Sequence, residues 1–210
     1  MQIPNAGVRM ASKCPVHRLL PLLCLLSVIG LSGMLRAADA APADGAPADV
    51  PEMTLGGVGQ RIEGKATVRI HASRAAVFAI LGSCPWALKI VPGLEACEVR
   101  EHAADGSWAR VWQVIEYARF LPRVRVEVMA RYTAPASVSF ERIDGDPVTL
   151  QGAWALDAAG DYTVAHYSFL FEPSHWLPHW ILRAVIRRDL PRMLESLRRA
   201  AESQGAPNLG

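Results

Sequence analysis

The stretch YTVAHYSFLFE (residues 162–172), followed by PSHW (173–176) and LPHWILRAVIRRDLPRMLESLRRAAESQ (177–204), decides the fold. Its first part alternates, placing Ala165, Tyr167, Phe169 and Phe171 on one face, the pattern of a half-buried strand. Its last part changes period. Leu177, Trp180, Ile181, Ala184 and Val185 fall at helical spacing, and Leu190, Met193, Leu194 and Leu197 continue an apolar stripe. Pro191 lacks an N–H and crowds the preceding turn, which predicts a kink near Arg187–Asp189.

Upstream, the same alternation repeats. Strand-like runs cover Glu95–Glu101, Trp108–Glu116, Arg123–Tyr132, Ser137–Ile143, Val148–Leu156 and Tyr162–Phe171, separated by turn signals at Pro135, Gly145-Asp146-Pro147 and Ala159-Gly160-Asp161. Val124, Val126 and Val128 make one dry face, and Val148, Leu150, Trp154 and Leu156 another. Gly152 interrupts the latter strand and marks a bulge, a bend or a close approach of another group. Before these runs stand a strand at Ala66–His71 and a short helix at Arg74–Leu81, with Ser73 as its N-cap and Gly82 as its stop. A second short helix follows at Pro85–Val91 and closes at Pro92-Gly93. The fold class this order predicts is α+β: a curved antiparallel sheet wrapped around one long C-terminal helix, with two short helices after the first strand. Such a sheet leaves a cavity against the helix.

The chain has 210 residues, enough for one domain once its front is set aside. Arg9, Lys13 and Arg18 precede an apolar stretch, Leu19–Leu31, too short for a comfortable membrane span, and Ala38-Asp39-Ala40 offers a small-x-small cleavage site. Residues 1–40 read as a signal peptide, with an uncleaved anchor as the rival reading. Residues 41–59, rich in Ala and Pro, read as a disordered leader, 60–204 as the folded domain and 205–210 as a flexible tail. Cleavage removes Arg9, Lys13, Arg18, Arg36 and Asp39. The 22 basic and 20 acidic residues then become 18 and 19, and the charge moves from +2 to about −1. That balance argues against a nucleic-acid partner. Of the four cysteines, Cys14 and Cys24 leave with the signal. Cys84 and Cys97 then either form a disulfide in an oxidising, periplasmic or extracellular compartment or remain two buried thiols.

The order of elements resembles the START-like (SRPBCC) superfamily, in its polyketide-cyclase or coenzyme-Q-binding branch. Carrying the resemblance are Ala66-Thr67-Val68-Arg69-Ile70-His71-Ala72, Ala76-Val77-Phe78, Trp86, Pro92-Gly93-Leu94, Gly152-x-Trp154 and Leu190-Pro191, spread over about Gly64 to Ser203. The resemblance implies a helix-grip fold around a hydrophobic pocket, a lipid, isoprenoid or polyketide-like ligand, and no cofactor. Cyclase or aromatase activity in the same cavity is the alternative it carries, without a universal catalytic motif. Many members are cytosolic, so the export signal is a departure.

Candidate ligand-binding residues are Trp112, Val126, Phe140, Trp154, Tyr167, Phe169, Trp180 and Ala184, because apolar walls take ligand surface out of water without demanding hydrogen bonds. Arg142, in phase with Phe140, is the candidate polar group, although a solvated strand-end arginine is the commoner outcome. His175 and His179 have helical spacing but no third ligand, so no metal is expected. His166 and Tyr167, the acid–base candidates, point to opposite faces of one strand. The segment from His175 to Trp180, with Arg183, Arg187, Arg188 and Arg192, suggests transient contact with a membrane surface against the alternative of a core-facing helix with a solvated basic side. The sequence favours a carrier over an enzyme and leaves the oligomeric state open.

Overall fold

A computed structural model describes residues 51–175 and 178–205; the expected signal peptide, the first part of the expected leader, Trp176, Leu177 and residues 206–210 lie outside the described residues. Eight strands and three helices follow in the order β1 (Glu52–Gly56), β2 (Ile62–Ile70), α1 (Arg74–Leu81), α2 (Cys84–Ile90), β3 (Leu94–His102), β4 (Trp108–Ile115), β5 (Val124–Thr133), β6 (Ser137–Gly145), β7 (Thr149–Ala159), β8 (Tyr162–Glu172) and α3 (His179–Gly205). The strands form one antiparallel sheet in the spatial order β1-β2-β8-β7-β6-β5-β4-β3. The chain enters at one edge, crosses through α1 and α2 to the opposite edge, and returns as a six-strand meander whose last strand pairs with β2. This is the predicted α+β architecture.

Local chemistry explains the elements. In β2, Ile62, Gly64, Ala66, Val68 and Ile70 alternate with more exposed positions, so one face is dry. Ser73 caps α1 by accepting a 3.2 Å hydrogen bond from the Ala76 amide. Gly82 ends that helix with φ −83°, a conformation open to any residue, so its lack of a side chain is not what the turn requires. Pro85 sits in the first turn of α2, where a missing N–H costs nothing. The α3 helix continues through Pro191 to Gly205 without interruption.

The reading of residues 41–59 as a disordered leader needs correction, because β1 lies within it and pairs with β2 from Glu52–Thr67 to Gly56–Glu63. Its five residues carry only two sizeable apolar side chains, yet Met53 packs on the main core and Leu55 on the cluster around Ile62, Phe171 and Leu182. Alternation over five residues with so little apolar content is hard to see in sequence; an open edge on β2 supplies what it lacks. The main core joins Val68, Ile70, Val77, Ile80, Leu156, Ala165, Leu194 and Leu197, where the second half of α3 meets α1 and the middle of the sheet.

Candidate functional site: a cavity under the long helix

Between the sheet, the first half of α3, α2 and the segment after β4 lies a cavity of about 320 Å³. Most of its wall is hydrocarbon and aromatic. Phe140 on β6, Trp154 on β7 and Tyr167 and Phe169 on β8 all border it. Trp154 stacks on Tyr167 with centroids 4.3 Å apart, and Tyr167 stacks on Phe169 at 5.6 Å, forming one aromatic wall.

Two glycines set the depth of this wall. Gly64, Phe169, Gly152 and Phe140 are in register across β2, β8, β7 and β6. The Phe169 ring lies over Gly64 and the Phe140 ring over Gly152, each in the space that a Cβ would occupy. Without side chains beneath them, the two rings lie flat on the sheet rather than standing up into the void. Of the three readings that the sequence left open for Gly152, the close approach of another group is what occurs.

The other five candidates do not border the cavity. Trp112 is on the opposite face of β4, in phase with Arg110, beneath the Arg100 guanidinium at 5.1 Å; Val111, Gln113 and Ile115 are the cavity positions of that strand. Val126 is 1 % exposed and filled in among Val111, Val128 and Ala130. Arg142 sits where β6 is bulged against β5, and its Nε donates to the Gly145 carbonyl at 2.8 Å. Trp180 is 72 % exposed, and Ala184 is exposed too. The inward stripe of α3 runs through Leu182, Val185, Ile186, Asp189 and Met193, so positions two residues from Leu182 face more than half a turn away. His166 also turns outward, bonded to Thr67 and facing Asp157, so Tyr167 is the one of that pair on the cavity.

Several lining groups escaped the sequence reading. Tyr117, Leu121 and Pro122 come from the irregular segment between β4 and β5, and Ala87, Ile90 and Val91 from α2 and its end. Asp189 is the most telling, since an acid on an otherwise apolar helical stripe is a buried-polar signal legible in the sequence. Both of its carboxylate oxygens accept from Arg188 at 2.7 Å, and the same guanidinium donates to the Tyr117 carbonyl at 2.6 Å, tying α3 to the segment after β4. Burial, and secondarily the negative charge of Asp189, push the Tyr117 phenol up to about 12. Burial raises Tyr167 further, with Tyr117 adding to it. Both phenols are therefore neutral hydrogen-bonding groups, and neither hydroxyl has a hydrogen-bond partner among the described residues.

Cys84 on α2 and Cys97 on β3 are joined by a disulfide with Cα atoms 5.4 Å apart, and both border the cavity. At the rim, Ser174 donates to Asp146 at 2.8 Å and lies 2.9 Å from His175 Nδ1. Among the described residues, no group of three or more His, Cys, Asp or Glu side chains is placed to hold a metal.

A curved sheet that grips a helix around an apolar void defines the helix-grip, START-type fold. Residues 70–198 match the family model described as polyketide cyclase / dehydrase and lipid transport, and the chain belongs to that family. No curated protein matches the sequence. Among solved structures, a STAR-related lipid transfer protein from Xanthomonas axonopodis is similar at 17% identity and TM-score 0.62, over 72% of this chain and 93% of that one. The Zhui aromatase/cyclase from Streptomyces is similar at 16% identity and TM-score 0.60, over 76% and 99%. The human StarD13 lipid transfer and protein localization domain is similar at 9% identity and TM-score 0.60, over 73% and 85%. At these identities the likeness is one of fold.

Proposed function

We propose that this protein is an exported carrier that binds one small hydrophobic ligand in the cavity beneath α3. The observation that carries the reading is the void itself: about 320 Å³ walled by Trp154, Phe169, Leu182 and Val185, where filling with side chains would have been the more stable choice. A ligand there leaves water for hydrocarbon, at about 25 cal/mol per Å² of apolar surface buried. The raised tyrosines argue against a phenolate general base at neutral pH.

Export rests on the charged, apolar and small-x-small pattern of residues 1–40 and is supported by the Cys84–Cys97 disulfide, a bond that persists in oxidising compartments. Among the described residues, no helix is long and apolar enough to cross a membrane. Exposed Trp180 beside exposed Arg187 and Arg188 on α3 supports transient contact with a membrane surface during loading.

Native mass spectrometry of protein purified from its source envelope tests the proposal. The expected result is a mature chain beginning near Ala41 that carries a stoichiometric apolar molecule. A chain still beginning at Met1 or Met10 overturns cleavage. A folded protein that neither retains nor takes up any apolar compound overturns the carrier.

A further inference from the structure

The charges around the cavity restrict what kind of apolar molecule fits. Among the described residues, two carboxylates, Asp146 and Asp189, border it, against a single arginine, Arg123. That guanidinium is already paired twice, with Glu95 at 2.8 Å and Glu116 at 3.3 Å. Arg188, the cation nearest Asp189, spends its donors on that carboxylate and on the Tyr117 carbonyl. His175 is held at the rim by Ser174. Among the described residues, no arginine or lysine on the cavity wall is left unpaired to receive an anionic head group, and a buried anion without a partner is costly. Neutral groups tell the opposite story. The hydroxyls of Tyr117 and Tyr167 lack protein partners among the described residues, and each offers one donor and acceptor lone pairs to whatever occupies the void.

We infer that the ligand is a neutral amphiphile, an apolar body ending in a hydroxyl or carbonyl that pairs with Tyr117 and Tyr167, and that carboxylates of the same length are rejected. The inference deepens the carrier reading and rests on it. A ligand hydroxyl accepts from one phenol and donates to the other or to Asp189. A carbonyl accepts from both phenols. A carboxylate finds no unengaged cation to pair with and meets the Asp146 carboxylate and the Arg188-bound Asp189 instead, a built-in discrimination against fatty acids.

The test uses the full purified chain, the uncharged fluorophore N-phenyl-1-naphthylamine as reporter, and 1-decanol and decanoate as competitors at pH 8. Decanol is expected to displace the reporter at a concentration about tenfold or more below that of decanoate. With the reporter's own affinity measured separately for each variant, Tyr117→Phe and Tyr167→Phe are each expected to weaken decanol about fivefold, the loss of one hydrogen bond. Asp189→Asn, which keeps the shape, removes the carboxylate charge and leaves the Arg188 guanidinium without its anion, narrows the gap between alcohol and acid. Equal or tighter binding of decanoate overturns the inference, as does a pair of phenylalanine variants that bind decanol like the parent. A folded chain, verified by circular dichroism, that fails to bind the uncharged reporter overturns the carrier reading instead.

Discussion

From Leu194 onward α3 is packed solid: Leu194, Leu197 and Ala201 are all 0 % exposed against Ile70, Val77, Ile80 and Ala165. Between Leu182 and Asp189 the same helix borders a void, with a carboxylate set into its apolar stripe. The polar ties differ in the same way. The second half carries a surface network in which Glu195 pairs with Arg198 and Arg199, and Glu202 accepts from Arg198 and from the His71 amide. The first half is tied by Arg183 to the Leu55 carbonyl and by Arg188 to the Tyr117 carbonyl, anchoring it at the cavity's margin rather than across it. One helix thus separates two tasks. Its C-terminal half supplies the stability that lets the N-terminal half leave space unfilled.

Truncation in the two halves therefore has unequal consequences. Leu197→Ala is expected to cost about 3 kcal/mol in urea denaturation, the lost transfer energy plus the cavity left behind, while the folded fraction still binds an uncharged fluorophore. A cost below about 1 kcal/mol breaks the comparison. Gly152→Val comes next, because its side chain takes the place of the Phe140 ring and drives it into the void. We expect a loss of about 2 kcal/mol together with weakened ligand uptake, read by thermal melting and fluorophore titration. Val185→Phe sharpens the contrast from the other side. Its extra bulk has somewhere to go, so stability changes by no more than about 1 kcal/mol while fluorophore affinity drops about tenfold.

The smallest effect belongs to the surface network. Hydrogen bonds from Arg198 first, and then from Arg199, hold the Glu195 carboxyl at about 2, below its ordinary 4.5, against an opposing contribution from burial. Its folded value is depressed, so the stabilisation is fully present above about pH 4.5 and disappears as the pH falls toward 2. For a pair this near solvent the contribution is about 1 kcal/mol or less. Glu195→Gln is expected to lose that amount at pH 7 and to flatten the acid limb of the stability curve. A variant whose acid limb matches the parent's would assign the acid sensitivity to other carboxylates.

Much of this architecture was legible before any coordinates. The six runs from β3 to β8 end within a few residues of their expected limits, since alternation and turn chemistry are local and each run carried both. The phase of β8 was equally plain, and Tyr167 and Phe169 face the cavity while His166 does not. The phase of α3 was misread. Its first turns are apolar nearly all round, with Trp180, Ile181, Leu182, Ala184, Val185 and Ile186 in close succession, so the stripe that faces inward is ambiguous without the sheet. Trp112 was misplaced because its aromatic character outweighed the alternation of its own strand, which sets Val111 and Gln113 on the inner face.

By itself, then, the sequence determined the type and order of the elements from β2 to α3, because hydrophobic period, caps and turn residues act over a few positions at a time. It also determined that Cys84 and Cys97 were near enough in the chain to bridge. Tertiary structure alone decided that Glu52–Gly56 would become a strand, since an edge on β2 had to be available to pair it. It alone brought Tyr117 beside Asp189 on a helix seventy-odd residues later, and so set the polarity of the cavity. A void has no residues of its own. Its walls come from six strands, three helices and the segments that connect them, and only their mutual curvature fixes which side chains meet across it.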